Sequence, residues 1–211
     1  MAGADTNHDL KNGFPEDIDE IIASSVLERS LAMRQPFKVN FDVECSFCRK
    51  NRQIYRVNEE FEHPEPTFIK LMPVSVAALN YDQTWPGRSV VILRDHETDM
   101  DFFMKTKQML FIAFWEDISA VVDAIDGACQ PDRMNYSIFM NQNMHLHVHL
   151  IPRYKAEGAQ FNEPPPFRGV SEMVPGYDYR SLALRIRRHI RHKFSPLNQY
   201  CSRLIDEGLP P

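Results

Sequence analysis

The segment densest in reactive side chains is Asn141-Gln142-Asn143-Met144-His145-Leu146-His147-Val148-His149-Leu150-Ile151-Pro152. In an extended strand successive side chains alternate between faces, so His145, His147 and His149 share one face while Leu146, Val148 and Leu150 take the other. Neighbouring imidazoles on such a strand are rooted roughly 6.6 Å apart. A fortuitous polar face is a poor explanation for three identical titratable residues at strict alternation in a chain with eight histidines. Two chemistries remain. Histidines two apart on a strand can chelate one metal ion, with a third ligand from elsewhere and an open position for water. Alternatively, a neutral imidazole attacks an electrophilic phosphorus while neighbouring donors stabilise the non-bridging oxygens. Spacing alone does not choose between them.

A second group is Cys45-Ser46-Phe47-Cys48. This is half of a structural zinc site, whose other half must come from elsewhere in the chain. A redox pair is the first alternative, but the flanks do not show the strand-then-helix unit that such pairs occupy. Two free buried thiols are the second. Cys129 and Cys201 are isolated, so four cysteines in 211 residues do not make a secreted disulfide framework.

The elements that must position these groups follow from hydrophobic periodicity. Pro15-Glu16-Asp17 opens an amphipathic helix carrying Ile18, Ile21, Ile22, Val26 and Leu31 and ending before Pro36, after a polar arm of about 14 residues. Strands are expected over Gln53–Val57, Thr67–Leu71, Ser89–Leu93, Asn135–Met140 and His145–Ile151, with Pro86-Gly87 as a turn before the third. A long helix runs from about Met104 to Ala128, and its Met109–Trp115 stretch, apolar on nearly every face, suits the core or a subunit contact. The chain is loop-like from Glu163 to Gly176, and a helix over Tyr179–Phe194 closes it. This order predicts an α+β fold, an antiparallel sheet with helices on one side, better than a βαβ repeat.

Composition narrows the function classes. With 43% hydrophobic and 25% charged residues the chain is long enough to bury a sizeable core. A net charge of −5 argues against a non-specific nucleic-acid partner, which requires surplus Lys and Arg. The polar start carries no apolar segment of a secretory signal, and Met109–Trp115 is far short of the roughly 20 residues that cross a bilayer. A cytoplasmic protein without a membrane partner is the expectation.

His145-Leu146-His147-Val148-His149-Leu150-Ile151, followed by Pro152-Arg153-Tyr154, resembles the signature of the histidine-triad (HIT) family. Pro86-Gly87-Arg88-Ser89-Val90-Val91-Ile92-Leu93-Arg94-Asp95-His96 resembles the strand-and-histidine block that the family carries upstream. With the Cys45/Cys48 pair, the resemblance covers roughly residues 45 to 155 and is of the kind seen in dinucleoside polyphosphate hydrolases and nucleotide phosphoramidases. It implies a HIT-like sheet with a long helix packed on it, extended by an N-terminal arm and helix (1–40) and a C-terminal loop and basic helix (161–211) around a catalytic domain (41–160). It also implies a purine nucleotide or dinucleotide substrate, cleavage or transfer at the α-phosphorus, and a homodimer. His147 matches the nucleophile and His149 the histidine that contacts phosphate. Asn141, Gln142 and Asn143 fall where members place phosphate donors, and Asn80 where many carry a ribose-binding Asp. The resemblance further implies structural zinc on Cys45, Cys48, His96 and His145, which would leave His147 and His149 for phosphate. In two places the chain departs from the pattern. Only Asn141 to Met144 stand where many members have a longer Gly-rich loop, and Arg88 stands where many have His, either pairing a polyphosphate tail or facing solvent.

Three functions therefore compete: a zinc-stabilised nucleotide hydrolase or transferase, a metal-dependent hydrolase with the triad as ligands, and a nucleotide-binding module without turnover. The basic run Arg180, Arg185, Arg187, Arg188, Arg191 and Lys193 reads as a solvated helix face, Trp115 with Phe111 and Phe114 as core, and His8, His63, His189 and His192 receive no role.

Overall fold

Pro73 and the Asn80–Gly87 turn bracket the strand Ser75–Leu79, every residue of which is buried. The structure is a computed structural model that describes residues 37–53, 63–165 and 172–209, all within one compact unit, Pro36–Pro211. The expected helix before Pro36 lies outside the described residues. In chain order the elements are α1 (Ser46–Gln53), β1 (Phe68–Leu71), β2 (Ser75–Leu79), β3 (Ser89–Leu93), α2 (Met100–Thr106), α3 (Gln108–Cys129), β4 (Arg133–Ser137), β5 (His147–Arg153), a 3-10 segment (Lys155–Asn162), α4 (Tyr179–His189) and α5 (Pro196–Gly208). The strands form one sheet in the order β1-β2-β3-β5-β4, and every neighbouring pair is antiparallel.

Register gives each face its residues. Ser75 pairs with Leu93, Ala77 with Val91, and Val91 with Val148, so these side chains share one face. That face meets α3, because Asp117 in the middle of α3 accepts hydrogen bonds from the Ser75 hydroxyl (2.7 Å) and the Val74 amide (3.0 Å). The helix buries Leu110, Ala113, Phe114, Asp117, Ile118, Val121, Ala124 and Ile125, the three-and-four spacing of a single packed stripe. Phe114 is thus core, and Trp115, edge-on to Phe111 at 6.2 Å, is half-buried. Asn198 of α5 donates to Asp117 at 2.9 Å, tying helix, sheet and C-terminal helix at one buried carboxylate. Burial pushes the Asp117 pKa up to about 6. The opposite face carries Ile92 beside His147, Val90 beside His149, and Ser137 of the edge strand β4 beside His149.

Several elements differ from the sequence expectation. Gln53 ends helix α1 and does not begin a strand, while residues 54–62 lie outside the described ones. The strand expected over Asn135–Met140 runs instead over Arg133–Ser137, since its pairing with β5 starts at Arg133 opposite Arg153. The long helix starts four residues earlier, at Met100, and breaks at Lys107, whose ammonium is drawn to Asp95 (2.5 Å) and Glu97 in the interior. The last expected helix ends at His189, and a further helix, α5, follows. The basic side chains Arg185, Arg188, Arg191 and Lys193 stand exposed, as a solvated face should, while Arg187 reaches back to donate to the Ile69 carbonyl at 2.6 Å. Among the described residues no helix is long and apolar enough to cross a membrane.

Candidate functional site

Cys45 immediately precedes α1 and Cys48 lies in its first turn, a spacing that turns both sulfurs to one side of the helix. His96 follows β3, and His145 precedes β5, where Leu93 accepts Nε2–H of His145 at 2.7 Å. Three segments distant in sequence therefore meet. The sulfur of Cys45 is 3.4 Å from Nδ1 of His145, that of Cys48 is 3.4 Å from Nδ1 of His96 and 3.5 Å from Nδ1 of His145, and the two Nδ1 atoms are 3.2 Å apart. All four donor atoms lie within 4.8 Å of one another. A tetrahedral zinc ion, with bonds of about 2.1 Å to nitrogen and about 2.3 Å to sulfur, holds two nitrogens about 3.4 Å apart and sulfur and nitrogen about 3.6 Å apart. Four of the six donor–donor distances come close to those spacings, and the cluster is a possible metal site.

Its protonation chemistry fits a cation equally well. With Nε2–H of His145 committed to the Leu93 carbonyl, Nδ1 keeps its lone pair toward the centre. Nε2 of His96 faces the Asp42 carboxylate at 3.7 Å, which favours the same tautomer. Burial pushes the Cys48 thiol up to about 12 and holds His145 down to about 4. A divalent cation among the donors reverses the first of these, since a coordinated thiol is deprotonated outright. The loop bearing His96 is pinned on both sides: Asp95 accepts from the Asn40 amide (2.6 Å) and Lys107, Glu97 accepts from the Asn40 side chain (2.9 Å), and the His96 amide donates to the Asn40 carbonyl (3.0 Å).

The other two triad histidines stand outside this cluster. His147 begins β5, and its Nδ1–H donates to the carbonyl of His145 at 2.6 Å, which leaves Nε2 as the unprotonated nitrogen. Phe47 of α1 meets the rings of His145 and His147 edge-on, at 5.7 and 5.3 Å. The His149 ring lies 4.9 Å from that of His147, nearly perpendicular to it. The three rings thus project to one side, although the formal strand starts only at His147. Burial lowers the pKa of His147; burial, with the nearby His147 and Arg88, lowers that of His149 to about 4. Both rings are neutral at neutral pH.

The remaining candidates sit around this face. Arg88 is buried, so the solvent-facing alternative for it does not hold, and its guanidinium pairs with Asp82 at 2.6 Å. Asn80 caps the turn that leads to Arg88: its side chain accepts from the Asp82 amide (2.9 Å) and its amide donates to the Arg88 carbonyl (2.9 Å). Asn141 and Gln142 are exposed in the loop before the histidines. Asn143 is tied to α1 by the Ser46 hydroxyl (3.1 Å) and accepts the His145 amide on its carbonyl (2.8 Å). Gly87 has φ +92°, and a Cβ there would lie 3.0 Å from the Cys129 sulfur, so the turn that delivers Arg88 requires glycine. Sequence reasoning gave no role to Phe47, to Lys107 with its two acids, or to Arg153. Arg153 is 1% exposed and directs its guanidinium to Glu157, Asn135 and the carbonyls of Gln160 and Glu163. The one signal for Arg153 was a charged residue at the end of an apolar run.

No family model matches the chain, and no curated protein matches it. Solved structures do. A Hit-like protein involved in cell-cycle regulation from Bartonella henselae superposes with a TM-score of 0.51 at 16% identity, over 71% of this chain and 98% of that one. A zinc-bound histidine triad family protein from Mycobacterium smegmatis gives 0.46 at 16% identity, over 70% and 93%. A hypothetical histidine triad nucleotide-binding protein from Sulfolobus tokodaii gives 0.47 at 22% identity, over 69% and 91%. The first of these likenesses establishes the fold: an α+β sheet and helices of the HIT type.

Proposed function

We propose that this chain, built on a HIT-type fold, is a nucleotide hydrolase or transferase acting at the α-phosphorus of purine nucleotides or dinucleotides, such as dinucleoside polyphosphates or nucleotidyl amidates, through a nucleotidyl-His147 intermediate. One observation carries the reading: Nδ1–H of His147 is held by the His145 carbonyl, and the ring lies outside the four-donor cluster. The same observation weighs against the triad acting as three ligands of one catalytic metal. Burial keeps His147 neutral, as a nucleophile at neutral pH must be. In the proposed reaction Nε2 attacks phosphorus and forms a P–N bond, while the bond from phosphorus to the leaving group breaks and its electron pair departs with that group. Water then attacks the same phosphorus, the P–N bond breaks, and neutral His147 is restored as the water proton passes to solvent. His149 is proposed to contact the non-bridging oxygens, whose negative charge offsets the burial that disfavours its protonated form. Arg88, Asn80 and the Asn141–Asn143 loop are proposed to hold the nucleotide.

Zinc on Cys45, Cys48, His96 and His145 would be closed, with no position for water, and would supply structural cross-linking of α1, the His96 loop and β5. The described residues support the proposed division into a core at 41–160 and a C-terminal part at 161–211 only in that α4 and α5 follow the last strand. A homodimer is proposed, with Ile112, exposed on α3, as part of the contact. The test is a donor assay with intact-mass detection. Wild type should acquire a nucleotidyl adduct on His147 and turn over; His147→Ala should do neither and keep its zinc. Loss of metal in His147→Ala would instead support the metal-dependent hydrolase.

A further inference from the structure

Residues 37–42 belong to no helix or strand, yet they touch two of the segments that carry the clustered donors. Asn40 donates its amide to Asp95 and its side-chain amide to Glu97, and its carbonyl accepts the His96 amide, so it brackets His96 on both sides. Two residues on, the Asp42 carboxylate faces Nε2 of His96 at 3.7 Å, and the Asp42 carbonyl accepts the Cys45 amide at 3.3 Å. This strap therefore fixes the ring of one nitrogen donor and the start of α1 together. The aim of a metal ligand depends on such outer partners, and losing one commonly costs roughly 10- to 100-fold in affinity.

The strap is in turn held by the last turn of α5. Gly208 packs so closely on Val39 that a Cβ there would lie 2.7 Å from two of its carbons, an approach that requires glycine. Two residues earlier, Asp206 pairs with the guanidinium of Arg94, which is 5% exposed and also donates to the Pro73 carbonyl at 2.7 Å. Helix α5 thus reaches His96 by two routes, through Val39 to Asn40 and through Arg94 to Asp95. Neither Gly208 nor Asp206 is among the four donors. We propose that both are positioning residues for the metal cluster: the C-terminal helix buttresses His96 and sets how long the cluster keeps its ion. This rests on zinc at Cys45, Cys48, His96 and His145. It gives α5 a part in the site as well as in the core.

The test is the rate at which the zinc-loaded full chain releases its ion to an excess of a chromogenic chelator. Gly208→Ala, which pushes Val39 and the strap, should speed release about 10-fold. Alanine is a better helix former than glycine, so that acceleration would not come from a weaker helix. Asp206→Ala should act by a similar factor through Arg94; its side chain is 58% exposed, so it spares the core and carries the test if Gly208→Ala does not fold. Cys201→Ala is the control. It trims a buried side chain of the same helix, three residues from the Asn198 that bonds Asp117, and should release zinc as the wild type does. Acceleration in either of the first two variants, with Cys201→Ala unchanged, supports the buttress. Less than about threefold in both, or an equal acceleration in Cys201→Ala, overturns it and leaves the zinc site standing. A wild-type chain that binds no zinc overturns the site and the buttress together.

Discussion

Replacing Arg153 by methionine removes a guanidinium whose donors are all directed to acceptors, at the end of the strand that carries the histidines. Its Nε bonds both oxygens of Glu157 at 3.0 Å, and Nη1 and Nη2 hold Asn135 and two carbonyls of the following segment. Arg153 and Glu157 have side chains 2% and 0% exposed. Taking away one partner of such a pair leaves an uncompensated buried charge and costs about 3–5 kcal/mol. Glu157 would keep one bond, from the Tyr154 amide at 2.7 Å, which is too little to offset the loss. Removing both charges, in Arg153→Met with Glu157→Leu, abolishes the stranded carboxylate. What then remains is the lost donors to the Asn135 side chain and the Gln160 and Glu163 carbonyls, and the lost acceptor of the Tyr154 amide, about 1 kcal/mol each. Equilibrium unfolding in urea of the wild type, both single variants and the double variant gives the coupling directly. The double variant should be more stable than Arg153→Met by at least about 1 kcal/mol. A cost below about 1 kcal/mol for Arg153→Met, or a double variant no more stable than that single one, would refute the assignment of this pair as a buried staple.

Two further outcomes follow from the described groups. Asp117 has a folded-state pKa raised to about 6 from 3.8, so its contribution is full below pH 4 and is lost as pH rises through 6; the wild type should gain on the order of 3 kcal/mol from this group between pH 7 and pH 4. Unfolding free energies of wild type minus Asp117→Asn, measured across that window, should trace this gain, and a flat difference would contradict it. Cys48→Ala should drop zinc from one ion per chain to none by elemental analysis and lower the melting temperature, whereas His147→Ala should do neither, since only the first of these side chains is among the four clustered donors.

The imidazole face was legible in the sequence because a period of two survives folding: His147 and His149 lie on β5 and His145 continues the same side. The four-donor cluster was not legible from local pattern. Cys45 and Cys48 announce half a site, but His96 and His145 lie 48 and 97 residues from Cys48, and only the family resemblance joined them. Strand β2 escaped notice because Ala77 and Ala78 are weak strand formers, and their place in the sheet comes from burial between β1 and β3. Helix α5 was hidden by Pro196, which reads as a breaker but stands at the first helical position, where its missing N–H costs nothing. The break at Lys107 involves neither glycine nor proline; it is set by two buried carboxylates on another segment, which no window of sequence contains.

His145 serves its neighbour with the backbone and its own cluster with the ring. The imidazole is fastened at both nitrogens, by Leu93 on one side and by the donors of Cys45, Cys48 and His96 on the other, while the oxygen of the same residue sets the tilt of His147. Any change that lets the first ring turn is therefore passed through a single residue to the aim of the second. An agent that loosens the cluster would disturb the aim of His147 without ever touching that ring.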